Sequence, residues 1–68
     1  MNIFSERLRE LRKEKSMTLL QVSKALDMPL RTYANYEQGV REPSLSTLNL
    51  LCDFYGVSSD YLIGRSDY

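Results

Sequence analysis

The sequence predicts an all-α fold, a compact bundle of five short helices. Three observations carry this. Apolar residues recur at the three- and four-residue spacing of a helix face, and no stretch alternates polar and apolar as a half-buried strand would. Hydroxyl and proline starts at Thr18, Pro29, Ser44 and Ser58 mark four helices, and glycine stops at Gly39, Gly56 and Gly64 close the last three. The connections between these signals are short, as expected of helices that pack on their sequence neighbours.

The first helix is predicted over residues 2–14. Phe4, Leu8 and Leu11 fall at i, i+4 and i+7 and should face the core. Glu6–Arg9 and Glu10–Lys13 are favourable helical neighbours and Glu10–Glu14 a repulsive one, each worth about 0.3 kcal/mol. Lys15 to Met17 form a connector. Thr18 followed by Gln21 is a capping box, in which the hydroxyl accepts the amide three residues on and the glutamine side chain reaches back. The second helix, 19–26, places Val22 and Leu26 on one face, with Ser23 allowing close packing. Asp27-Met28 is a corner. Pro29 pushes Met28 toward extended backbone and presets its own φ for a first helical turn.

The third helix, 29–38, is predicted to turn Tyr33 and Tyr36 inward and Leu30, Arg31, Thr32 and Asn35 outward. Gly39 stops it, since glycine takes the left-handed conformation without steric cost. Two helices joined by so short a corner cross steeply. That describes a helix-turn-helix that enters the DNA major groove, and equally an ordinary helical hairpin.

Pro43 bars helix continuation through the loop VREP. Ser44 is a good N-cap for a fourth helix, 45–55, with Leu45, Leu48, Leu51, Cys52 and Tyr55 inward, ended by Gly56. Ser58 caps a fifth helix, 59–63, closed by Gly64. Residues 65–68 are a tail or the start of a linker.

With 68 residues the chain makes one domain and buries only about 60% of its unfolded surface. Stability on the order of 5 kcal/mol is expected. The 43% hydrophobic and 26% charged content is too apolar for disorder. No apolar run approaches the length of a membrane span, and no signal-peptide pattern opens the chain, so a cytoplasmic protein with no membrane partner is expected. Cys52 stands alone and fits a small core residue in a reducing compartment. There is no histidine and no cluster at metal-ligand spacing. Nothing points to catalysis, and no metal, cofactor or small-molecule substrate is implied.

Net charge is zero, which counts against nucleic-acid binding, but its distribution is uneven. Arg7, Arg9, Arg12, Lys13 and Lys15 stand against Glu6, Glu10 and Glu14 early in the chain. Asp53, Asp60 and Asp67 stand against Arg65 alone from Ser44 onward. A polarised molecule can turn one face to phosphate; helix faces solvated by mixed charge remain the alternative.

Four segments, RLRELRKEK at 7–15, MT at 17–18, NYEQGVREPSLSTL at 35–48 and YGVSSDYLIGRSD at 55–67, resemble the phage-repressor-like (Xre, or lambda Cro/CI-like) helix-turn-helix family. The likeness covers nearly the whole chain, and the ordered set at the right spacing is specific where one short match would be weak. It implies a lambda-repressor-like five-helix DNA-binding domain over residues 1–64, with the third helix reading DNA. Many members repress transcription as homodimers on operators that are inverted repeats.

The resemblance also implies residue roles. Arg12 and Glu37 match a pair bracing the first helix to the end of the reading helix. On their own, both would read as solvated charges. Leu30, Arg31, Thr32 and Asn35 occupy base-reading positions, where arginine suits guanine and asparagine suits adenine. Thr18, Leu19 and the amides there match a phosphate anchor, and Arg41 matches a basic residue in the flanking loop. Phe54, Tyr61 and Ile63 are candidates for a dimer contact.

Departures from the family pattern are informative. Leu19 stands where glutamine is common, Asp27 where glycine is usual, Pro29 where a hydroxyl usually caps, and Val40 where lysine is frequent. Leu30 cannot hydrogen-bond. These changes leave a second reading open, a protein-interaction module of antirepressor or antitoxin type using Leu19, Leu30 and Val40 as an apolar patch.

Overall fold

The computed structural model describes residues 2–67. Five helices follow in order: α1 Ile3–Glu14, α2 Leu19–Ala25, α3 Leu30–Glu37, α4 Leu45–Tyr55 and α5 Ser59–Leu62. No strand occurs among the described residues. Tyr68, the last residue of the expected tail, lies outside them.

Local chemistry sets both ends of each helix. Asn2, Thr18, Ser44 and Ser58 are N-caps whose side chains accept the amides of Ser5, Gln21, Thr47 and Tyr61. At the other end, a residue of positive φ follows every helix: Ser16, Asp27, Gly39, Gly56 and Gly64. In each case the next amide bonds back to the carbonyl five residues earlier, as Met17 to Arg12, Met28 to Ser23, Val40 to Asn35, Val57 to Cys52 and Arg65 to Asp60. These are Schellman closures, and they satisfy carbonyls that the helix leaves without partners.

Two closures use residues other than glycine. Asp27, at φ 56°, takes the left-handed conformation at the α2–α3 corner, as does Ser16 after α1. A side chain there costs about 1 kcal/mol, less for aspartate, whose short polar side chain can bond locally.

The core gathers one wholly buried residue from each helix: Leu8, Val22, Tyr33, Leu51 and Leu62. Each buried aliphatic contributes roughly 1.5–3 kcal/mol. Phe4, Leu11, Leu26, Tyr36, Cys52 and Tyr55 complete the core, as periodicity predicts for the first four helices. Burial pushes the Cys52 thiol up, away from its reactive form. α3 packs against α1 and α2, and α5 against α1 and α4, so α3 is held from two sides while its far face stays open.

The predicted helix bounds hold to within one residue at each end, where Asn2 and Pro29 are extended N-caps and Leu26, Gln38 and Ile63 are C-caps. Pro29 supplies no side-chain cap bond, so it starts α3 by backbone geometry alone. Leu45 is not inward but 81% exposed. It opens α4, and a Cα–Cβ bond tilted toward the helix N-terminus carries a first-turn side chain off the end of the bundle. Leu19 packs partly buried against the core, while its neighbour Leu20 is the open one.

Candidate nucleic-acid interface

The interface candidate is built on α2, the corner and α3. The capping box at the start of α2 forms as predicted: the Thr18 amide donates to Gln21 Oε1 at 2.8 Å, and the Gln21 amide donates to Thr18 Oγ1 at 3.1 Å. The closed box uses the hydroxyl as an acceptor, so its O–H remains free to donate outward. Leu19 can offer an anion only its amide.

On α3 the inner side carries Tyr33, Tyr36 and Glu37, all buried. Arg31 is exposed, Thr32 and Asn35 are half-buried, and Leu30 is 44% exposed. Four apart, Arg31 and Asn35 share one row of the helix, about 6 Å along its axis. Arg41 is exposed in the loop beyond α3, beside Val40. Of the expected apolar patch, Leu30 and Val40 are open, whereas Leu19 is partly buried against the core.

Arg12 holds both ends of this unit. Its Nε and Nη2 donate to the two carboxylate oxygens of Glu37 at 2.8 and 3.1 Å, and its Nη1 donates to the carbonyl of Met17 at 3.0 Å. Met17 precedes the start of α2, and Glu37 ends α3. One planar, five-donor guanidinium therefore spans the helix-turn-helix, which a single ammonium could not do. The Glu37 side chain is 5% exposed and that of Arg12 16%. The hydrogen bonds to Glu37 hold the Arg12 pKa above its usual value, against the opposing effect of burial.

Behind the brace lies a contact that sequence reasoning missed. Tyr33 and Tyr55 share a hydrogen bond of 2.6 Å between their hydroxyls in the interior. Burial is the main cause that drives the Tyr33 pKa far up, reinforced by hydrogen bonds to Tyr55 and Glu37, and burial raises Tyr55 too. The inward placement of both rings was readable from spacing, but their pairing across α3 and α4 was not. Arg9 was also missed: its Nη2 donates to the Glu37 main-chain carbonyl at 3.3 Å. Its position three residues before Arg12 on α1 was the one available signal.

The candidate dimer residues differ in what they touch. Phe54 meets Tyr55 edge-on at 4.9 Å between ring centres and carries the Lys15 ammonium at 5.4 Å. Tyr61 carries the Arg7 guanidinium 4.2 Å from its ring centre. The same guanidinium donates to the carbonyls of Tyr61 and Ser66, the latter at 2.6 Å, tying the chain's end to α1. Ile63 is 44% exposed. Among the described residues no helix is long and apolar enough to cross a membrane.

Residues 8–62 match the protein family described as Helix-turn-helix. HTH-type transcriptional regulator AnsR of Bacillus subtilis (strain 168) is 43% identical over 60 residues, which are 88% of this chain and 52% of that protein. Cryptic phage CTXphi transcriptional repressor RstR of Vibrio cholerae is 34% identical over 65 residues, 96% of this chain and 59% of that protein. HTH-type transcriptional regulator ImmR of Bacillus subtilis is 34% identical over 62 residues, 91% and 49% of the two chains. The chain thus spans about half the length of the curated relatives it matches.

Proposed function

We propose, since the chain belongs to the phage-repressor-like helix-turn-helix family, that residues 1–64 form the sequence-specific double-stranded DNA-binding module of a cytoplasmic transcriptional repressor. The observation that carries the proposal is the two-sidedness of α3. Its inner face is locked by Tyr33, Tyr36 and Glu37, and its outer face offers Arg31, Thr32 and Asn35. A helix held rigidly by one side, with a guanidinium and an amide on the other, suits the major groove. Arg31 would take O6 and N7 of guanine, Asn35 would take N6 and N7 of adenine, and Leu30 would add apolar contact. Thr18, the Leu19 amide and Arg41 would anchor phosphates on either side.

A module of this size buries too little surface for tight specific binding by itself, so a homodimer on an inverted repeat is proposed, joined through Phe54, Tyr61 and Ile63. A second reading, docking of a protein partner, is favoured by the exposure of Leu20 at 48%, Leu30 at 44% and Val40 at 70%.

Random-site selection followed by two variants tests the proposal. An enriched inverted repeat is expected. Arg31→Ala should cost about 1–3 kcal/mol on that site and relax selectivity at one base pair. Arg41→Ala should weaken all sequences alike and lower the salt slope by about one. No enriched site, with Leu30→Gln abolishing capture of a protein partner, would replace DNA reading with the docking role.

A further inference from the structure

We infer that Arg9 is a positioning residue for the reading helix, closing the C-terminal end of α3 and fixing the angle at which Arg31 and Asn35 are presented. This rests on the proposed reading of α3 as the DNA-facing helix. The last four carbonyls of α3 are all satisfied. Ala34 accepts the Gln38 amide at 2.9 Å, Asn35 the Val40 amide at 3.0 Å and Tyr36 the Gly39 amide at 3.4 Å. The fourth, Glu37, takes the Arg9 guanidinium at 3.3 Å. α3 has no basic residue in its own last turn. A cation at the negative end of the helix dipole must therefore come from elsewhere in the fold, and α1 supplies it.

Arg9 and Arg12 divide the attachment. Arg12 grips the Glu37 carboxylate, which sits on a rotatable side chain, and Arg9 grips the Glu37 backbone. The buried Tyr33, Tyr36 and Glu37 side chains hold the inner face of α3, but none of them bonds the main chain of its last turn. The Arg9 bond to the Glu37 carbonyl adds a tie to the backbone at that end. Arg9 reaches the carbonyl with one terminal nitrogen, Nη2, whereas the two-oxygen grip of Arg12 requires the guanidinium fork.

The test compares Arg9→Ala and Arg9→Lys with the parent protein on the selected operator and on a scrambled duplex, across a salt series. Amide hydrogen exchange at Gly39 and Val40 is measured in the free protein. Arg9→Ala is expected to reduce the ratio of specific to scrambled binding roughly five- to ten-fold, and to speed exchange at both amides by a similar factor. The salt slope should not change, and Arg9→Lys, which keeps the charge but shortens the reach to the Glu37 carbonyl, should restore both readouts only in part. Unchanged discrimination and exchange in Arg9→Ala would overturn the inference. So would a uniform loss of affinity with a salt slope lowered by about one, which would make Arg9 a phosphate contact. If the parent protein shows no base preference, the reading of α3 fails instead, and the exchange rates alone decide whether Arg9 closes the helix.

Discussion

Cutting the Arg12–Glu37 brace from either side should cost unequal amounts, and the inequality follows from burial. Arg12→Met keeps most of the apolar stem and removes every donor. It leaves the Glu37 carboxylate, 5% exposed, without its guanidinium, and the Met17 carbonyl without the bond it receives at 3.0 Å. An uncompensated buried charge costs about 3–5 kcal/mol. Glu37→Leu leaves a guanidinium that is 16% exposed, still bonded to Met17 and able to turn toward water. That loss should be about 1–2 kcal/mol. The double variant replaces the ion pair with apolar groups of similar size and should lose less than the two singles together, with a coupling of about 2 kcal/mol or more. Urea denaturation at constant m-value measures all three. With total stability on the order of 5 kcal/mol, Arg12→Met should lie near the limit of folding, so its curve is best taken near the temperature of maximum stability. Single losses each under about 1 kcal/mol that simply add would show the pair to be an ordinary surface bridge and refute the argument.

Relief of backbone strain gives a gain rather than a loss: Ser16→Gly and Asp27→Gly should each stabilise by about 0.5–1 kcal/mol, with Ser16 gaining more, read as a rise in the thermal midpoint. The opposite change discriminates between two glycines of similar φ. Gly56→Ala meets no atom within 4 Å and should cost only its conformational strain, whereas a Cβ at Gly64 would lie 2.6 Å from Ile3 Cγ2, so Gly64→Ala should be the more damaging. Equal midpoints for the two would disprove that close contact. Alkaline pH should unfold the protein, because Tyr33 and Tyr55 stay protonated in the fold while the unfolded chain releases their protons above the ordinary value of 10.0. Stability is therefore present below that pH and falls above it, with Tyr33, the more deeply shifted of the pair, contributing most, and a flat urea midpoint there would contradict it. Ile63→Asp, at a site already 44% exposed, should leave the monomer folded and abolish cooperative binding to paired half-sites. A parent protein that shows no concentration-dependent association in sedimentation would remove that contact.

Helix ends, to within a residue, and the apolar side of the first four helices were legible in the amino-acid order alone. Thr18, Ser44 and Ser58 cap as hydroxyl chemistry requires, and Leu8, Val22, Tyr33 and Leu51 lie inward as their spacing demands; Asn2, read as the first helical residue, is the cap of α1 instead. These are short-range effects, complete within one or two turns. Ser16 escaped notice because serine carries no sign of a left-handed backbone; the closure onto Arg12 imposes it. Leu45 and Leu19 mark the next limit. Periodicity gives an angle around a helix axis, but depth depends on which other helices cover that angle at that height. So Leu45 stands open at the first turn of α4, while Leu19 is partly covered. The pairing of Arg12 with Glu37 was legible only through family resemblance; for Arg9 the spacing from Arg12 was a signal without a partner, and for Tyr33 and Tyr55 the inward side was legible but the bond between them was not. Those partners lie more than twenty positions apart in the chain. Whether a charge is solvated or holds a helix end is decided when α1, α3 and α4 meet, because only then is water removed from between the groups.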